Sequence, residues 1–466
     1  MSQASAVSSS FRDPSGHVFS ANGRIYRQIN QSYEADFEKL QTSGLLSALV
    51  ERGWLVDHEE RPEMCPEGAY KVIEPTPIPY ISYPYEWSFS QLQDAALLTL
   101  NIQKLALEHG MTLKDASSYN VQFLKGKPIF IDTLSFAELN QEQPWIAYKQ
   151  YCQHFLAPLV LMGYSDPRVR KLLLGFIDGI PLDLAASLLP ARSKLRYSVL
   201  AHIHLHARSQ VQHADSAGAA STRKMSKPLL IALIESLTSA TSKCRLPKHL
   251  KTEWGEYYDD TNYSIDSMDE KETLVDSLLQ KYAPENGIVH DLGANTGRFS
   301  RIATRYAATV VSHDIDELAV ERNYQAVRKN TNDANLLPLV LDLTNPSPAI
   351  GWDSTERDSF GQRCKADVVL ALALIHHIAI SNNTPLAKVA EFLQPLAKTL
   401  VIEFVPKGDS QVDRLLATRE DIFGDYDEAG FEAAFVDYFE LLEKHPVAGT
   451  TRTLYAFESK TFGSGS

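Results

Sequence analysis

The carboxyl-terminal half of this sequence predicts an α/β fold, a doubly wound and mostly parallel Rossmann-like sheet of seven strands with an antiparallel edge. Strand-like and helix-like segments alternate there, which is typical of a parallel sheet with helices on both faces. Five segments are short, continuous apolar runs, as expected of strands buried on both faces. The last two strand-like segments are separated only by a Pro/Gly turn, which predicts an antiparallel pair.

The predicted elements follow one another in a simple order. The five parallel strands are predicted at GIVHDLG, TVVSHDID, LLPLVLDL, ADVVLALALI and TLVIEFV. Helices are predicted at RFSRIATRYA and ELAVERNYQAVRKN, and the antiparallel strands at FELLEKHPVAG and TRTLYAFES. We expect this domain to span residues 251–462, and the final GSGS of residues 463–466 resembles a cloning scar.

The first half predicts a separate α+β domain over residues 15–250, because 466 residues are too many for one ordinary core. Asn22-Gly23 lies between two strand-like segments, and this dipeptide is a strong hairpin signal. An apolar stripe from about Ser90 to His109 predicts a long helix. The Ser-rich residues 1–14 are expected to be a disordered tail.

Composition excludes several classes of protein. The formal net charge of −13 disfavours a nucleic-acid partner, because phosphate binding needs clustered Lys and Arg. No apolar run of about 18 residues is present, so no membrane span is expected. The amino terminus lacks the basic and apolar regions of a secretory signal. These observations together lead us to expect a cytoplasmic protein.

The cysteines argue against a structural metal site. The four of them lie far apart and form no Cys-x-x-Cys pair: Cys65, Cys152, Cys244 and Cys364. That spacing disfavours both a zinc site and a disulfide framework. We expect reduced thiols and no bound metal.

The clearest site signal is HDLGANTGRF, where the first strand of the second domain ends and a helix begins. Gly293 and Gly297 allow the backbone to turn tightly and approach a ligand, and Asn295 tolerates a left-handed backbone. The spacing G-x-x-x-G differs from the dinucleotide fingerprint G-x-G-x-x-G. The carboxylate of Asp291 suits an ammonium-bearing ligand better than a diphosphate. S-adenosylmethionine carries an amino acid group and no phosphate.

Two more acids follow at the ends of the next strands, where ligands of such sheets bind. Asp314 ends the second strand, where it can accept hydrogen bonds from both hydroxyls of a ribose. Asp342 closes the third strand, where it can meet an adenine amino group. The alternative interpretation is that Asp291 and the glycines only shape a turn. Acids at the ends of three successive strands favour the cofactor site.

Residues 253–458 resemble a class I S-adenosylmethionine-dependent methyltransferase. The matching stretches stand in the family's order, and they are VHDLGANTGRF, VVSHDID, VLDLTNPSP, ADVVLALALIHH and LVIEFV. The closing pair of strands also resembles the antiparallel edge of that family. More loosely, the whole chain resembles a bacterial group that includes a rhizobial nodulation-associated methyltransferase-like protein. That resemblance implies a small-molecule or glycan acceptor.

The resemblance also implies a role for each site residue. The methionine moiety would be surrounded by Asp291, Gly293, Asn295 and Gly297. Asp314 would hold the ribose, and Ile315 and Asp342 would contact the adenine. Ala371 would accept from the methionine ammonium through its carbonyl. Tyr263 lies in the upstream segment that often covers the cofactor.

Two histidines are candidates for the base that a hydroxyl acceptor would need. His376 and His377 follow the fourth apolar run, beside the expected sulfonium, and histidine is the usual base near neutral pH. On an extended strand, adjacent side chains point to opposite faces, so we expect one histidine to act and the other to pack. Glu403, at the end of LVIEFV, is the third catalytic candidate. The alternative for each residue is a structural role.

The first domain resembles, more weakly, the protein-kinase-like and aminoglycoside-phosphotransferase-like superfamily. Asp115 and Asn120 have the spacing of its catalytic loop, and Asp132 lies where its second metal ligand belongs. Several features depart from the family pattern. Arg27 stands in place of the ATP-binding lysine, no glycine-rich loop is evident, and Asp132 begins Asp-Thr-Leu rather than Asp-Phe-Gly. We expect a kinase-like fold with a degenerate phosphotransfer site, the alternative being an unrelated α+β domain.

The sequence therefore predicts an S-adenosylmethionine-dependent methyltransferase that acts on a small-molecule or glycan acceptor, with the first domain assisting acceptor binding. Two other functions remain open. One is a bifunctional kinase–methyltransferase, and the other is a methyltransferase with a non-catalytic protein-docking module. The acceptor atom and the oligomeric state are not predicted.

Overall fold

The computed structural model describes residues 5–140, 143–207, 225–247, 250, 265–417 and 419–462. The chain forms two compact units. The first comprises Met1–Leu250 together with Ile350–Arg357, and the second comprises Lys251–Ala349 together with Asp358–Ser466. We expected the second domain to be continuous, but eight residues from its middle belong to the first unit.

The first unit contains a five-stranded antiparallel sheet with the strand order β1-β2-β3-β5-β4. The strands are β1 (Ser5–Ala6), β2 (Gly16–Ala21), β3 (Arg24–Asn30), β4 (His58–Glu60) and β5 (Ala69–Pro75). The hairpin between β2 and β3 turns at Asn22 and Gly23, whose φ angles of 53° and 73° explain the residue types there. Ile29, Phe37 and Leu134 pack in a core cluster beside this sheet.

Two small strand pairs follow the long helix that the apolar stripe predicted. They are β6 (Met111–Leu113) with β9 (Phe136–Glu138), and β7 (Val121–Leu124) with β8 (Lys127–Phe130). The helices of the unit are α1 (Glu34–Thr42), α2 (Leu45–Glu51), α3 (Phe89–Glu108), α4 (Tyr148–Tyr151), α5 (Ala157–Tyr164), α6 (Leu172–Gly175), α7 (Leu182–Leu188), α8 (Tyr197–Val199) and α9 (Lys227–Ser242). Helix α3 begins at a capping box in which Ser88 and Gln91 satisfy each other's backbone N–H groups.

The amino-terminal segment is ordered where the structure describes it, contrary to our expectation of a disordered tail over residues 1–14. Val7 donates a backbone hydrogen bond to Val18 at 3.0 Å, next to the short strand β1. Arg12 donates to both carboxylate oxygens of Glu356. This ion pair and the strand pairing supply contacts that the Ser-rich composition did not reveal.

The second unit contains a seven-stranded sheet with the order β12-β11-β10-β13-β14-β16-β15. The strands are β10 (Ile288–Leu292), β11 (Thr309–Asp314), β12 (Leu336–Val340), β13 (Ala366–Ala371), β14 (Ala397–Phe404), β15 (Phe439–Pro446) and β16 (Thr453–Ser459). The first five are parallel, whereas β16 runs antiparallel to both β14 and β15. This arrangement confirms the predicted doubly wound sheet with its antiparallel edge.

Helices cover both faces of that sheet. They are α10 (Ile265–Tyr282), α11 (Arg298–Ala303), α12 (Glu317–Val327), α13 (Phe360–Arg363), α14 (Leu386–Leu393), α15 (Ser410–Leu416) and α16 (Glu428–Val436). Alternate residues of β13 enter different apolar clusters, with Val369 in one and Val368 and Leu370 in the other. The sheet is therefore buried on both sides, which accounts for the continuous apolar runs in the sequence.

No helix in the described part of the chain is long and apolar enough to cross a membrane.

Candidate functional site

A cavity of about 410 Å³ lies in the second unit, where the carboxyl ends of the parallel strands meet. It is lined by Met268, Lys271, Asp291, Gly293, Ala294, Asn295, Phe299, Asp314, Ile315, Leu341, Asp342, Leu343, Thr344, Leu372, Ala373, Leu374, His377, Ile378, Ser381, Asn382 and Leu415. Ligands of doubly wound sheets bind in this position, since loops from several strands converge there.

The loop after β10 has the conformation that its residue types predicted. Gly293 and Gly297 have φ angles of 79° and 84°, and Asn295 has a φ of 50°. A left-handed backbone at three positions out of five is accessible mainly to Gly and Asn. A Cβ atom on Gly297 would lie 2.5 Å from the amide nitrogen of Asn323, so glycine is also required for close packing.

Asp291 is a buried carboxylate on the cavity wall. The hydroxyl of Ser300 donates to its Oδ2 at 2.6 Å. Burial raises the pKa of Asp291 to about 6, because a charged carboxylate loses its hydration there. In the described part of the chain Asp291 forms no ion pair, so an ammonium group entering the cavity would find an acceptor.

Asp314 ends β11 and is held by the loop beside it. The backbone N–H groups of Asn295 and Asp316 donate to its two carboxylate oxygens at 2.7 and 2.8 Å. Burial also raises the pKa of Asp314 to about 6. These bonds fix the orientation of the carboxylate, and each oxygen keeps a second lone pair that can accept a ligand hydroxyl.

The next residues add an apolar and a polar contact surface. The side chain of Ile315 is 53% exposed although it is large and apolar, and it lines the cavity. Asp342 lies just beyond β12, where its Oδ1 accepts from both the backbone and the hydroxyl of Thr344. Ile315 and Asp342 both line the cavity.

Other expected cofactor contacts lie elsewhere. Gly297 and Ala371 are buried and are not among the residues lining the cavity. Leu372 and Ala373, which follow Ala371, line it instead. Tyr263 lies outside the described residues.

The two histidines are not on a strand, contrary to our expectation. Strand β13 ends at Ala371, and His377 begins a π-helical turn over His377–Ser381. The argument that strand geometry separates the two side chains is therefore wrong, and their ring centroids are only 4.1 Å apart. The backbone leaves the strand because Ala373 adopts a left-handed conformation with a φ of 50°.

The surroundings of the two rings differ all the same. His377 lines the cavity, and burial lowers its pKa to about 4, so that the imidazole is neutral at pH 7. His376 is completely buried, and within the described structure neither ring nitrogen has a hydrogen-bond partner. Burial lowers the pKa of His376 well below its usual value. Only His377 is placed to meet an acceptor.

Glu403 does not reach the cavity. Its side chain is fully buried, and its Oε2 accepts from Lys271 Nζ at 2.6 Å and from the backbone N–H of Ala373 at 2.7 Å. Arg452 lies 3.9 Å from the other carboxylate oxygen and also pairs with Asp409. A carboxylate engaged in this way with two cations is an anchor for the turn at Ala373 rather than a base.

Sequence reasoning missed Lys271. This residue lies in α10, one turn after Met268, and the pair faces the cavity. The side chain is 2% exposed to bulk solvent and its ammonium lies 4.9 Å from the ring centre of Phe299. A lysine within the apolar stripe of helix α10 was the available signal, since an unpaired buried ammonium is costly.

The acidic cluster of the first unit is closed by its own neighbours. Arg27 pairs with Asp132 in a largely buried site. Asp115 accepts from the backbone of Ser117 and from the amide of Gln150, both at 2.8 Å. Burial and the nearby Asp132 raise the pKa of Asp115. No cluster of three metal-binding side chains occurs among the described residues.

Asn120 also has internal partners. Its amide donates to the hydroxyl of Ser135 at 3.2 Å, and that hydroxyl donates to Asp132. The side chains of Asp115, Asn120 and Asp132 thus lie in one hydrogen-bonded neighbourhood. Their role in phosphotransfer stays a prediction.

A curated protein covers almost the whole chain. Over 461 residues the sequence is 36% identical to the nodulation protein NoeA of Rhizobium meliloti (strain 1021), a match that spans 97% of this chain and 96% of that protein. The chain belongs to the NoeA family. No protein-family profile matches the sequence.

Solved structures similar to part of this chain include methyltransferases. One is the N-methyltransferase NodS from Bradyrhizobium japonicum WM9, with 10% identity, a TM-score of 0.31, and coverage of 42% of this chain and 98% of that one. Another is the magnesium protoporphyrin IX methyltransferase ChlM from Synechocystis PCC 6803 with bound SAH, with 18% identity, a TM-score of 0.32, and coverage of 44% and 93%. The strand order described above is the observation on which the class I methyltransferase fold rests.

Proposed function

We propose that this member of the NoeA family is an S-adenosylmethionine-dependent methyltransferase that acts on a small-molecule or glycan hydroxyl. The observation that carries the proposal is a pair of buried carboxylates, Asp291 and Asp314, on one cavity wall at the ends of β10 and β11. Neither forms an ion pair within the described part of the chain. Buried charges without a counter-ion are costly, so they are expected where a ligand completes their surroundings.

The carboxylates fit the two polar ends of this cofactor. Asp291 would accept hydrogen bonds from the methionine ammonium, and Asp314 would accept from the ribose hydroxyls. Ile315 would pack against the adenine, and Asp342 would accept from its amino group. The left-handed loop at Gly293 and Asn295 lets the backbone approach the ligand closely. A diphosphate would instead meet three carboxylates, which repel it.

The rest of the cavity supports a neutral acceptor. Its other lining residues include Leu343, Leu374, Ile378 and Leu415, with the small polar side chains Thr344, Ser381 and Asn382 between them. Lys271 is the one lysine or arginine among the described lining residues, and it is paired with Glu403. A single cationic side chain among these lining residues favours a neutral acceptor over an anionic one.

The residues on the cavity wall would act mainly by positioning and by moving one proton. Held by Asp291 and Asp314, S-adenosylmethionine would supply an electrophilic methyl group on a sulfonium, whose C–S bond would break as the acceptor oxygen bonded the methyl carbon and a thioether left. His377 Nδ1 or Nε2, neutral at pH 7, would take the proton that the hydroxyl loses. Leu374 lies close to Gly293, where an added Cβ would be 3.1 Å from the Leu374 side chain, and it would keep water from the reacting atoms.

The first unit would assist acceptor binding. Thr344 lines the cavity, and Ile350–Arg357, six residues further along the chain, belong to the first unit. Glu356 anchors that segment through Arg12 and through the backbone N–H of Trp352. The second unit is thus interrupted in sequence by a segment that belongs to the first unit, which favours a joint role of the two units over an independent docking module.

A transfer assay tests the proposal. The full chain is incubated with S-adenosylmethionine carrying a labelled methyl group and with a small-molecule extract, and the labelled product is identified by mass. The matched control is Asp314→Asn, which keeps the size of the side chain and removes its charge. Label transfer by the wild type and its loss in the variant are expected. Absence of label transfer by the wild type would overturn the proposal, and equal labelling with both proteins would overturn the assignment of Asp314 to the cofactor site.

A further inference from the structure

The cavity wall that carries Asp291 also carries a cation. Lys271 and Asp291 both line the cavity, and each charge shifts the pKa of the other, so the two groups are electrostatically coupled. A buried ammonium and a buried carboxylate that line the same cavity are the complement of an α-amino acid, whose own ammonium and carboxylate have the opposite charges. A ribose or an adenine would require neither arrangement.

We infer that Lys271 binds the carboxylate of the cofactor's amino acid group and that Glu403 is the positioning residue that holds it there. The inference rests on the proposed function and extends it to a residue that the sequence motif does not contain. The Glu403 carboxylate fixes both the lysine, at 2.6 Å, and the backbone of Ala373, at 2.7 Å. One buried acid therefore orders two neighbouring parts of the cavity wall.

The packing around Lys271 favours a fixed position for its ammonium. Phe299 lies beneath it and also lines the cavity. Arg452, paired with Asp409, holds the far side of Glu403. The four charges Lys271, Glu403, Arg452 and Asp409 sum to zero, so the network is stable before a ligand binds. An incoming carboxylate would then be balanced by the ammonium that accompanies it in the same amino acid.

The alternative is that Lys271 serves only as the counter-ion of Glu403. The two accounts differ in one respect that can be measured. A counter-ion contributes to folding and treats every nucleoside ligand alike. A carboxylate-binding residue makes the protein distinguish S-adenosylhomocysteine from S-adenosyl-3-thiopropylamine, which has the same nucleoside, thioether and ammonium but no carboxylate.

Calorimetric titration of the full chain with these two ligands decides between them. We expect the wild type to bind S-adenosylhomocysteine about ten- to a hundredfold more tightly, the range for a hydrogen bond between charged groups. In the double variant Lys271→Met, Glu403→Gln both buried charges are removed together, and the amide oxygen can still accept from Ala373. For this double variant we expect the affinities for the two ligands to agree within about threefold, because the hydrogen bond between Lys271 and the ligand carboxylate is absent.

Controls separate binding from folding. Lys281→Met removes a lysine from the same helix, where it is exposed and paired with Glu443, and should keep the wild-type preference. Thermal melting shows whether the double variant is folded. If the double variant is not folded, Lys271→Gln replaces it in the titration. We expect Lys271→Gln also to lose the preference for S-adenosylhomocysteine over S-adenosyl-3-thiopropylamine.

The outcomes are distinct. A preference that survives in a folded Lys271 variant would overturn the inference, and so would a wild type that binds both ligands equally. The proposed function would be unaffected by either result. A wild type that binds neither ligand would overturn the proposed function and this inference with it.

Discussion

The two units of this chain both place acidic side chains at or just after the ends of strands, yet among the residues that the structure describes Asp291 and Asp314 of the second unit lack the ion pair that neutralises Asp132 in the first. In the first unit Asp132 pairs with Arg27, and Asp115 accepts from Ser117 and Gln150. In the second unit Asp291 and Asp314 accept only from uncharged hydroxyl and backbone groups in the hydrogen bonds and ion pairs described above.

That difference teaches where to look for a ligand. A carboxylate neutralised by its own arginine gains little from an incoming cation, because the pair must first be broken. A buried carboxylate with neutral partners still has an unsatisfied charge, and burial raises the pKa of both Asp291 and Asp314 to about 6. The second unit therefore has the features of a binding site, and the first those of a closed polar cluster.

The largest expected effect is a loss of kcat on substitution of a histidine beside the cavity of the second unit. Once an acceptor is known, His377→Ala should lower kcat about 10²–10⁴-fold while the affinity for S-adenosylhomocysteine is kept, because only a base is removed. His376→Ala should instead lower the free energy of unfolding by about 2 kcal/mol through the cavity it creates. Steady-state kinetics and thermal melts measure both.

A matched substitution sharpens the histidine comparison. His376→Leu fills the buried volume without polar atoms, and both ring nitrogens of His376 lack hydrogen-bond partners within the described structure. We expect its stability to equal or exceed that of the wild type. Full activity in His377→Ala would show that transfer needs no histidine base.

The acids themselves give the next largest effect. Asp291→Asn and Asp314→Asn should each weaken the binding of S-adenosylhomocysteine at least tenfold, since a charge-assisted hydrogen bond is lost. Asp132→Asn is the matched control in the first unit and should leave that affinity unchanged. Calorimetry on the three variants tests the comparison directly. Equal affinities for S-adenosylhomocysteine in the three variants would show that the acids of the second unit bind this ligand no more than Asp132 does.

Acid pH should also weaken the binding of S-adenosylhomocysteine in the cavity of the second unit. Both carboxylates must be ionised to accept from the ligand, and their pKa values are raised to about 6, so affinity should fall about tenfold or more between pH 7.5 and pH 5. Stability must be followed in parallel. The lowered pKa of His376 means that the unfolded state takes up a proton below about pH 6.5, and stability falls as the pH falls. Affinity that stays constant to pH 5 in the folded protein would contradict the assignment.

The smallest effect on ligand binding is expected in the first unit. Arg27→Met should lower the free energy of unfolding by about 1–3 kcal/mol, because it leaves Asp132 without its cation. It should not change the affinity for S-adenosylhomocysteine. We also expect no appreciable ATP turnover by the wild type. Mg²⁺-dependent phosphorylation of an acceptor, abolished by Asp132→Ala, would show that the cluster opens to a nucleotide.

The parts of the site that the sequence predicted are those with a local cause. Gly293, Asn295 and Gly297 are recognisable because a left-handed backbone restricts the residue type at each position. Asp291 and Asp314 are recognisable because apolar runs mark where the strands end. The five parallel strands were predicted for the same reason, since burial on both faces produces apolar segments. The antiparallel pair was predicted from the Pro/Gly turn between its strands.

The parts that were missed depend on contacts distant in sequence. Lys271 and Glu403 are 132 residues apart, and no local pattern links a helix lysine to a strand glutamate. The left-handed Ala373 ends β13 early, although alanine gives no signal for such a turn. The histidines were therefore placed on a strand. Ile350–Arg357 joins the first unit through Glu356 and Arg12, which are separated by 344 residues.

A crystal structure of the full chain with S-adenosylhomocysteine tests the central claim most directly. We expect the ligand in the cavity of the second unit, with its ribose hydroxyls within hydrogen-bond distance of Asp314, its ammonium beside Asp291 and its adenine on Ile315. Crystals that leave this cavity empty at saturating ligand, or that hold the ligand beside Asp132 in the first unit, would contradict the account.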